Sequence, residues 1–177
     1  VNRQWAAPVA MDATGNFVVT WVSDYQDGSM GGIYAQRFNT LGVAQGAEFR
    51  VNSITADNQS SPNIAMKTDG EFVIVWASQG QDGNLQSSYG QRYSAAGAAI
   101  GGQFRINTTA TGEQADPDVA MAPNGDFMAI WRGNGTGDAD GIFAQRFAGT
   151  ARTTEAGGTS TFSIVLNSQP TANVTVN

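Results

Sequence analysis

Cysteine and histidine are both absent from the 177 residues, and lysine occurs once, as Lys67. Without cysteine there are no disulfide staples and no thiolate metal sites. Without histidine the usual general base and the commonest transition-metal ligand are missing, which excludes a Ser-His-Asp triad and a zinc hydrolase site. Charged residues make up only 14% of the chain, against roughly 25% in an average soluble domain. The net charge is −6. With no basic cluster, the phosphate backbone of a nucleic acid is not an expected partner. No apolar run approaches the ~20 residues a membrane-crossing helix needs, so no membrane span is expected.

In their place the sequence repeats itself. The first unit reads Pro8-Val9-Ala10-Met11, Gly15-Asn16-Phe17-Val18-Val19-Thr20-Trp21, Ile33-Tyr34-Ala35-Gln36-Arg37-Phe38 and Glu48-Phe49-Arg50-Val51-Asn52. The second reads Pro62-Asn63-Ile64-Ala65-Met66, Gly70-Glu71-Phe72-Val73-Ile74-Val75-Trp76, Tyr89-Gly90-Gln91-Arg92-Tyr93 and Gln103-Phe104-Arg105-Ile106-Asn107. The third reads Pro117-Asp118-Val119-Ala120-Met121, Gly125-Asp126-Phe127-Met128-Ala129-Ile130-Trp131 and Ile142-Phe143-Ala144-Gln145-Arg146-Phe147. Trp21, Trp76 and Trp131 are 55 residues apart both times. A period of this length marks a modular array whose units bury their apolar faces on one another. The units span 1–52, 53–107 and 108–150, with a different segment over 151–177. Val1-Asn2 repeats Val51-Asn52 and Ile106-Asn107, so the chain reads as a section of a longer polypeptide.

Within a unit the pattern has period two or is continuously apolar, never helical. Pro8 is expected to lead a short strand, where its missing N–H does no harm. Gly15, Gly70 and Gly125 fall in tight turns that need a positive φ. The next strand, Phe17–Trp21 or Phe72–Trp76, is apolar on both faces and must be covered on both. A third strand spans Ile33–Phe38, and a fourth, Glu48–Asn52, reads as a half-exposed outer strand. The expected fold is all-β: tandem four-stranded antiparallel blades, β-propeller-like, as an incomplete ring or an open array. A three-unit β-trefoil is the rival architecture. The third unit lacks the Glu-Phe-Arg-Val-Asn segment and so its fourth strand. Residues 151–177 instead form two alternating segments around Pro170, expected as a C-terminal β-hairpin of sandwich type.

Two resemblances follow from these motifs. Glu155-Ala156-Gly157-Gly158-Thr159 with Ser168-Gln169-Pro170-Thr171-Ala172-Asn173-Val174-Thr175-Val176 resembles the opening strands of a Calx-beta sandwich. The threefold unit over 1–147 resembles repeats of large bacterial surface and secreted proteins. That resemblance implies an extracellular or cell-surface location and a multidomain parent.

Residues common to every unit are expected to be architectural. These are the core aromatics Phe17, Phe72, Phe127, Trp21, Trp76 and Trp131, and the arginines Arg37, Arg92 and Arg146, expected to hold carbonyls between adjacent blades. A sialidase-like clamp from these arginines is not favoured, because no Ser-x-Asp-x-Gly-x-Thr-Trp box accompanies them. Trp5 has no counterpart in the other units. Gln26-Asp27-Gly28, Gln81-Asp82-Gly83 and Asp138-Ala139-Asp140-Gly141 occupy one loop position, which makes Asp27, Asp82, Asp138 and Asp140 candidate calcium ligands. The competing expectation is that Asp-Gly simply makes a turn. Paired carboxylates of the kind a glycosidase needs are Asp116 with Asp118, which flank Pro117, and Asp138 with Asp140, which are expected to share a loop, though nothing in the sequence sets either pair across a cleft.

The expected function is non-enzymatic: a structural or adhesive repeat module that self-associates through strand edges or meets neighbouring domains of its parent. The alternative is a carbohydrate-binding propeller segment, with a glycan held by loops 23–32, 78–88 and 133–141. A glycoside hydrolase fragment is the third.

Overall fold

The computed structural model describes residues 3–135 and 137–149, which form twelve β-strands and, among those residues, no helix. The first sheet contains β1 (Gln4–Trp5), β2 (Val9–Met11), β3 (Phe17–Asp24), β4 (Gly31–Phe38) and β5 (Phe49–Arg50). The second contains β6 (Gln59–Met66), β7 (Phe72–Gln79), β8 (Gln86–Tyr93) and β9 (Ala99–Arg105). The third contains β10 (Gln114–Met121), β11 (Phe127–Gly135) and β12 (Asp138–Phe147). Every pairing is antiparallel and joins neighbours along the chain, except that β1 and β2 both line the same edge of β3. Three separate up-and-down sheets are propeller blades and not a trefoil. The sandwich-type hairpin expected over 151–177 lies outside the described residues.

The sharp turns arise as the glycines require. Gly15, Gly70 and Gly125 take φ of 91°, 91° and 87°. Each turn closes with two backbone bonds, as from Asp12 N–H to the Asn16 carbonyl at 2.8 Å and from Gly15 N–H back to the Asp12 carbonyl at 3.2 Å. A side chain at Gly70 would also press on Ala95, because its added Cβ would lie 3.0 Å from the alanine Cβ.

Two local features differ from the sequence expectation. In the second and third units the proline lies inside the first strand, not at its start. Pro62 and Pro117 sit where the register slips between Ser60 and Asn63 and between Ala115 and Asp118. A bulge leaves a residue without ladder bonds, so a proline costs nothing there. The residue at the preceding repeat position, Ala6, Ser61 or Asp116, takes φ of 51°, 49° or 50°. Such values are strained for non-glycine residues and recur at one place in each blade. The fourth strand is also shifted. Only Phe49–Arg50 pair in the first blade, while Val51 and Asn52 leave the edge and are buried.

Each blade presents two unlike faces, because strand residues alternate. On the second blade one face carries Phe72, Ile74, Trp76, Tyr89 and Tyr93, here termed the aromatic face. The other carries Val73, Val75, Ala77, Ser88 and Gly90, the small-residue face. The aromatic face of the second blade packs on Val18, Val22, Ile33 and Ala35 of the first. Its small-residue face packs on Phe127, Ala129, Trp131 and Phe143 of the third. All of Phe72 to Ala77 is therefore buried, as a strand apolar on both sides demands.

Candidate functional site

The repeated polar residues are placed first, because they decide what remains for chemistry. Arg37 projects from the small-residue face of the first blade and donates to the Ala96 carbonyl of the second at 2.6 Å. Arg92, one repeat later, donates to the carbonyls of Ala148 at 2.9 Å and Gly125 at 3.4 Å in the third. It also lies over the Phe127 ring, 5.4 Å from its centroid. Burial pushes the Arg92 guanidinium below its ordinary value, and the charges of Glu71 and Asp126 act against that. Arg146 bonds instead within its own blade, to Asp126 at 2.6 Å. Trp76 and Trp131 are buried, whereas Trp21 is half-buried on the outer face of the first blade. Phe72 and Phe127 are buried and Phe17 half-buried in the same way.

Asn52 and Asn107 are the residues sequence reasoning passed over. Asn52 Oδ1 accepts from the Ile33 N–H at 2.7 Å, and Asn107 Oδ1 from the Ser88 N–H at 2.8 Å. Their amide nitrogens donate to the carbonyls of Ile54 and Thr109, at 2.8 and 2.7 Å. Asn52 also reaches Gln59 Oε1 in the next blade at 3.1 Å. Each side chain extends the ladder where the backbone of the fourth strand turns away. The signal was present, since Val-Asn and Ile-Asn end two units identically in type.

The Asp-Gly loops close as turns. Gly28 N–H bonds back to Tyr25 at 3.4 Å and Gly83 N–H to Gly80 at 3.0 Å. Asp27 accepts from the Ser29 N–H at 3.2 Å and from Asn52 at 3.4 Å. Asp82 accepts from Asn84 N–H at 3.2 Å, from the Ser87 hydroxyl and from Arg105 at 3.4 Å. Asp138 accepts from the Asp140 N–H at 3.1 Å, and Asp140 pairs with Arg132 at 3.1 Å. Both Asp27 and Asp82 lie near a repeated tyrosine. Burial first, and then the neighbouring carboxylate, raise the hydroxyls of Tyr34 and Tyr89 above their ordinary value. Asp27 and Asp82 stand in two separate loops, whereas Asp138 and Asp140 lie at the start of β12, because β11 and β12 pair as far as Gly135 and Asp138 and leave no long loop at the third position. Among the described residues no group of three or more His, Cys, Asp or Glu is placed to hold a metal ion.

The first strands of the blades lie side by side, β6 against β2 and β10 against β6. Their bulges bring Ser61 to Asp116 at 3.2 Å and Asn63 to Asp118 at 2.5 Å. Asp116 further meets Arg132 at 3.5 Å, which also pairs with Glu113 at 3.7 Å. The two carboxylates that flank Pro117 are thus exposed on one strand and met by neutral donors from the blade before. A shallow apolar groove lies on the outer face of the first blade, where Trp5, Val19, Trp21 and Phe38 meet Gln36 and Glu48.

No protein-family model matches the chain, and no curated protein matches it in sequence. Among solved structures it is similar to the endo-arabinase of Bacteroides thetaiotaomicron, with 16% identity over 85% of this chain and 57% of that one and a TM-score of 0.50. An α-L-arabinanase of Penicillium chrysogenum, complexed with arabinobiose, is 13% identical over 81% of this chain and 42% of its own, with a TM-score of 0.54. A GH43 endo-arabinanase of Bacillus licheniformis is 14% identical over 95% and 61%, with a TM-score of 0.51. The chain spans about half the length of these β-propeller proteins, and what it shares with them is the fold.

Proposed function

We propose that the chain is a non-catalytic structural repeat module of a large extracellular bacterial protein, serving spacing, surface display and assembly. One observation supports this most: the side chains that recur from unit to unit are consumed in building and joining blades. The arginines of the first two units hold the carbonyls of the following blade. The recurrent asparagines complete the ladder, and the recurrent tryptophans lie on the aromatic faces. Chemistry inherited by every unit would require a recurring reactive group, and the recurring groups are already engaged. The exposed outer strands, above all β9, offer edges to neighbouring domains.

A second reading has a specific support. The fold is shared with arabinanases, and Asp116, Asp118, Ser61 and Asn63 form an exposed polar row on the first strands. On that reading the segment binds or cleaves a glycan. A glycan array that includes arabino-oligosaccharides, together with turnover of labelled arabinosides, tests the two. The structural module gives neither binding nor turnover. Saturable binding lost in Asp116→Asn and Asp118→Asn variants would replace it with the second reading.

A further inference from the structure

The joint between the first and second blades holds a cavity of about 350 Å³ at its turn end, within the roughly 300–1,000 Å³ of small-molecule sites. Asp12, Val18 and Arg37 of the first blade line it, with Met66, Thr68 and Gly70 of the second. The Ala13 N–H donates to the Thr68 carbonyl at 3.2 Å across the joint, so the two walls are fixed before anything enters.

The units differ at this place. One repeat after Asp12 stands Lys67. In the second joint its stem crosses to the next blade, its Cδ 3.7 Å from where a Cβ on Gly125 would stand, and the side chain is only 13% exposed. Asp12 leans on the matching glycine in the same manner, its Oδ2 3.5 Å from where a Cβ on Gly70 would stand, but it is shorter and fills less. The arginines differ too. Arg92 spans the carbonyls of Ala148 and Gly125, whereas Arg37 reaches that of Ala96 alone among the described residues. A guanidinium carries five N–H donors, so Arg37 brings unused donors to the cavity wall. Asp12 has capacity as well. Its Oδ1 accepts three bonds within its own turn, whereas Oδ2, which faces the second blade, accepts one, from Asn16.

Charge narrows the ligand. Asp69, also in the wall, is paired with Lys67 at 2.7 Å and is already balanced. What remains is one anion, Asp12, and one cation, Arg37, beside apolar surface from Val18 and Met66. A lone cation is repelled by Arg37 and a lone anion by Asp12, but a molecule that carries both charges satisfies each. We propose that this cavity binds a free α-amino acid with an apolar side chain. Its carboxylate meets the Arg37 fork, its ammonium meets Asp12 Oδ2, and its side chain lies on Val18 and Met66. Such a site is particular to one joint, and so goes beyond the architectural role of the residues that all units share.

Nuclear magnetic resonance titration of the isotope-labelled whole chain with L-leucine tests it. Saturable shifts are expected, half-complete at about 1 mM or below. They should gather on the turns 12–16 and 66–70 and on Arg37, with the second joint silent. Isopentylamine is leucine without its carboxylate, and isocaproate is leucine without its ammonium. Each should bind at least about tenfold more weakly. Asp12→Asn, which keeps the shape and removes the charge, should weaken leucine by a similar factor. Asp12→Lys, which plugs the mouth as Lys67 does in the second joint, should abolish binding. Circular dichroism checks that both variants are folded, and the wild-type map with the two leucine analogues decides alone if either is not. No saturable shift, equal binding of the amine or the carboxylate, shifts centred elsewhere, or unchanged affinity in both variants would overturn the inference. Arabinose should leave these turns silent, and its binding there in place of leucine would overturn it equally.

Discussion

Replacing Asn52 by alanine probes how the blade edge is sealed. The substitution removes the acceptor for the buried Ile33 N–H, held at 2.7 Å, and the donor to Gln59 Oε1, held at 3.1 Å. Ile33 and Gln59 are both fully buried, so water does not replace either partner. Each orphaned group costs about 1–3 kcal/mol, and two of them give a loss of about 2–6 kcal/mol. For a chain of 177 residues the melting temperature falls by roughly 4–24 °C, at about 2–4 °C per kcal/mol. Urea unfolding followed by tryptophan fluorescence measures it, with the midpoint moving and the slope constant. Asn107→Ala should behave alike, since Asn107 holds the buried Ser88 N–H at 2.8 Å. The exposed neighbour Thr108→Ala should stay within about 0.5 kcal/mol of wild type. Losses below about 0.5 kcal/mol in both asparagine variants would refute the claim that these side chains complete the ladder.

Three further outcomes are expected. Arg92→Ala should destabilise by about 2 kcal/mol and Arg92→Lys should recover little, because a lysine lacks the planar fork that spans two carbonyls; equal stability of the lysine variant and wild type in thermal melts would contradict this. Burial would raise the Asp12 carboxyl, but hydrogen bonds from the side chains and backbone of Asn16 and Thr14 outweigh it and bring it from 3.8 to about 2. A folded value below the unfolded one means that this stabilisation is present above about pH 4 and is lost as the pH falls through about 2. Asp12→Asn should flatten the acid limb of a pH–stability curve in that window, and an unaltered limb would argue against the hydrogen bonds. Adding excess calcium should shift the melting temperature by no more than about 1 °C, since Asp27 and Asp82 serve turns while Asp138 and Asp140 lie in β12, Asp140 paired with Arg132; a rise of several degrees would restore a calcium site.

The architecture was legible wherever periodicity carries it. The doubly apolar Phe72–Trp76 segment declared a strand covered on both sides, and β7 is buried from Phe72 to Ser78. Gly15, Gly70 and Gly125 marked the turns because a positive φ there has one inexpensive residue. Less legible were features that depend on neighbours far along the chain. Nothing local tells that Pro62 sits in a bulge, because the bulge is set by the register of β6 on β7. Nor does Val-Asn at the end of a unit announce that its side chain replaces a backbone partner 19 residues earlier. The arginines share one repeat position, yet Arg146 turns to Asp126, where the second unit has Glu71 and the first Asn16. Identity at one position does not fix a partner when the neighbouring unit differs.

A blade whose two faces fit one another has an evolutionary consequence. Copying a stretch of 55 codons in frame adds a unit that arrives with both of its contact surfaces already selected. Slippage between repeats can therefore lengthen or shorten such a protein in whole steps, leaving every remaining seam chemically unchanged. Smaller insertions enjoy no such tolerance, because one extra residue within β7 would exchange its valines for its aromatics on both sides at once.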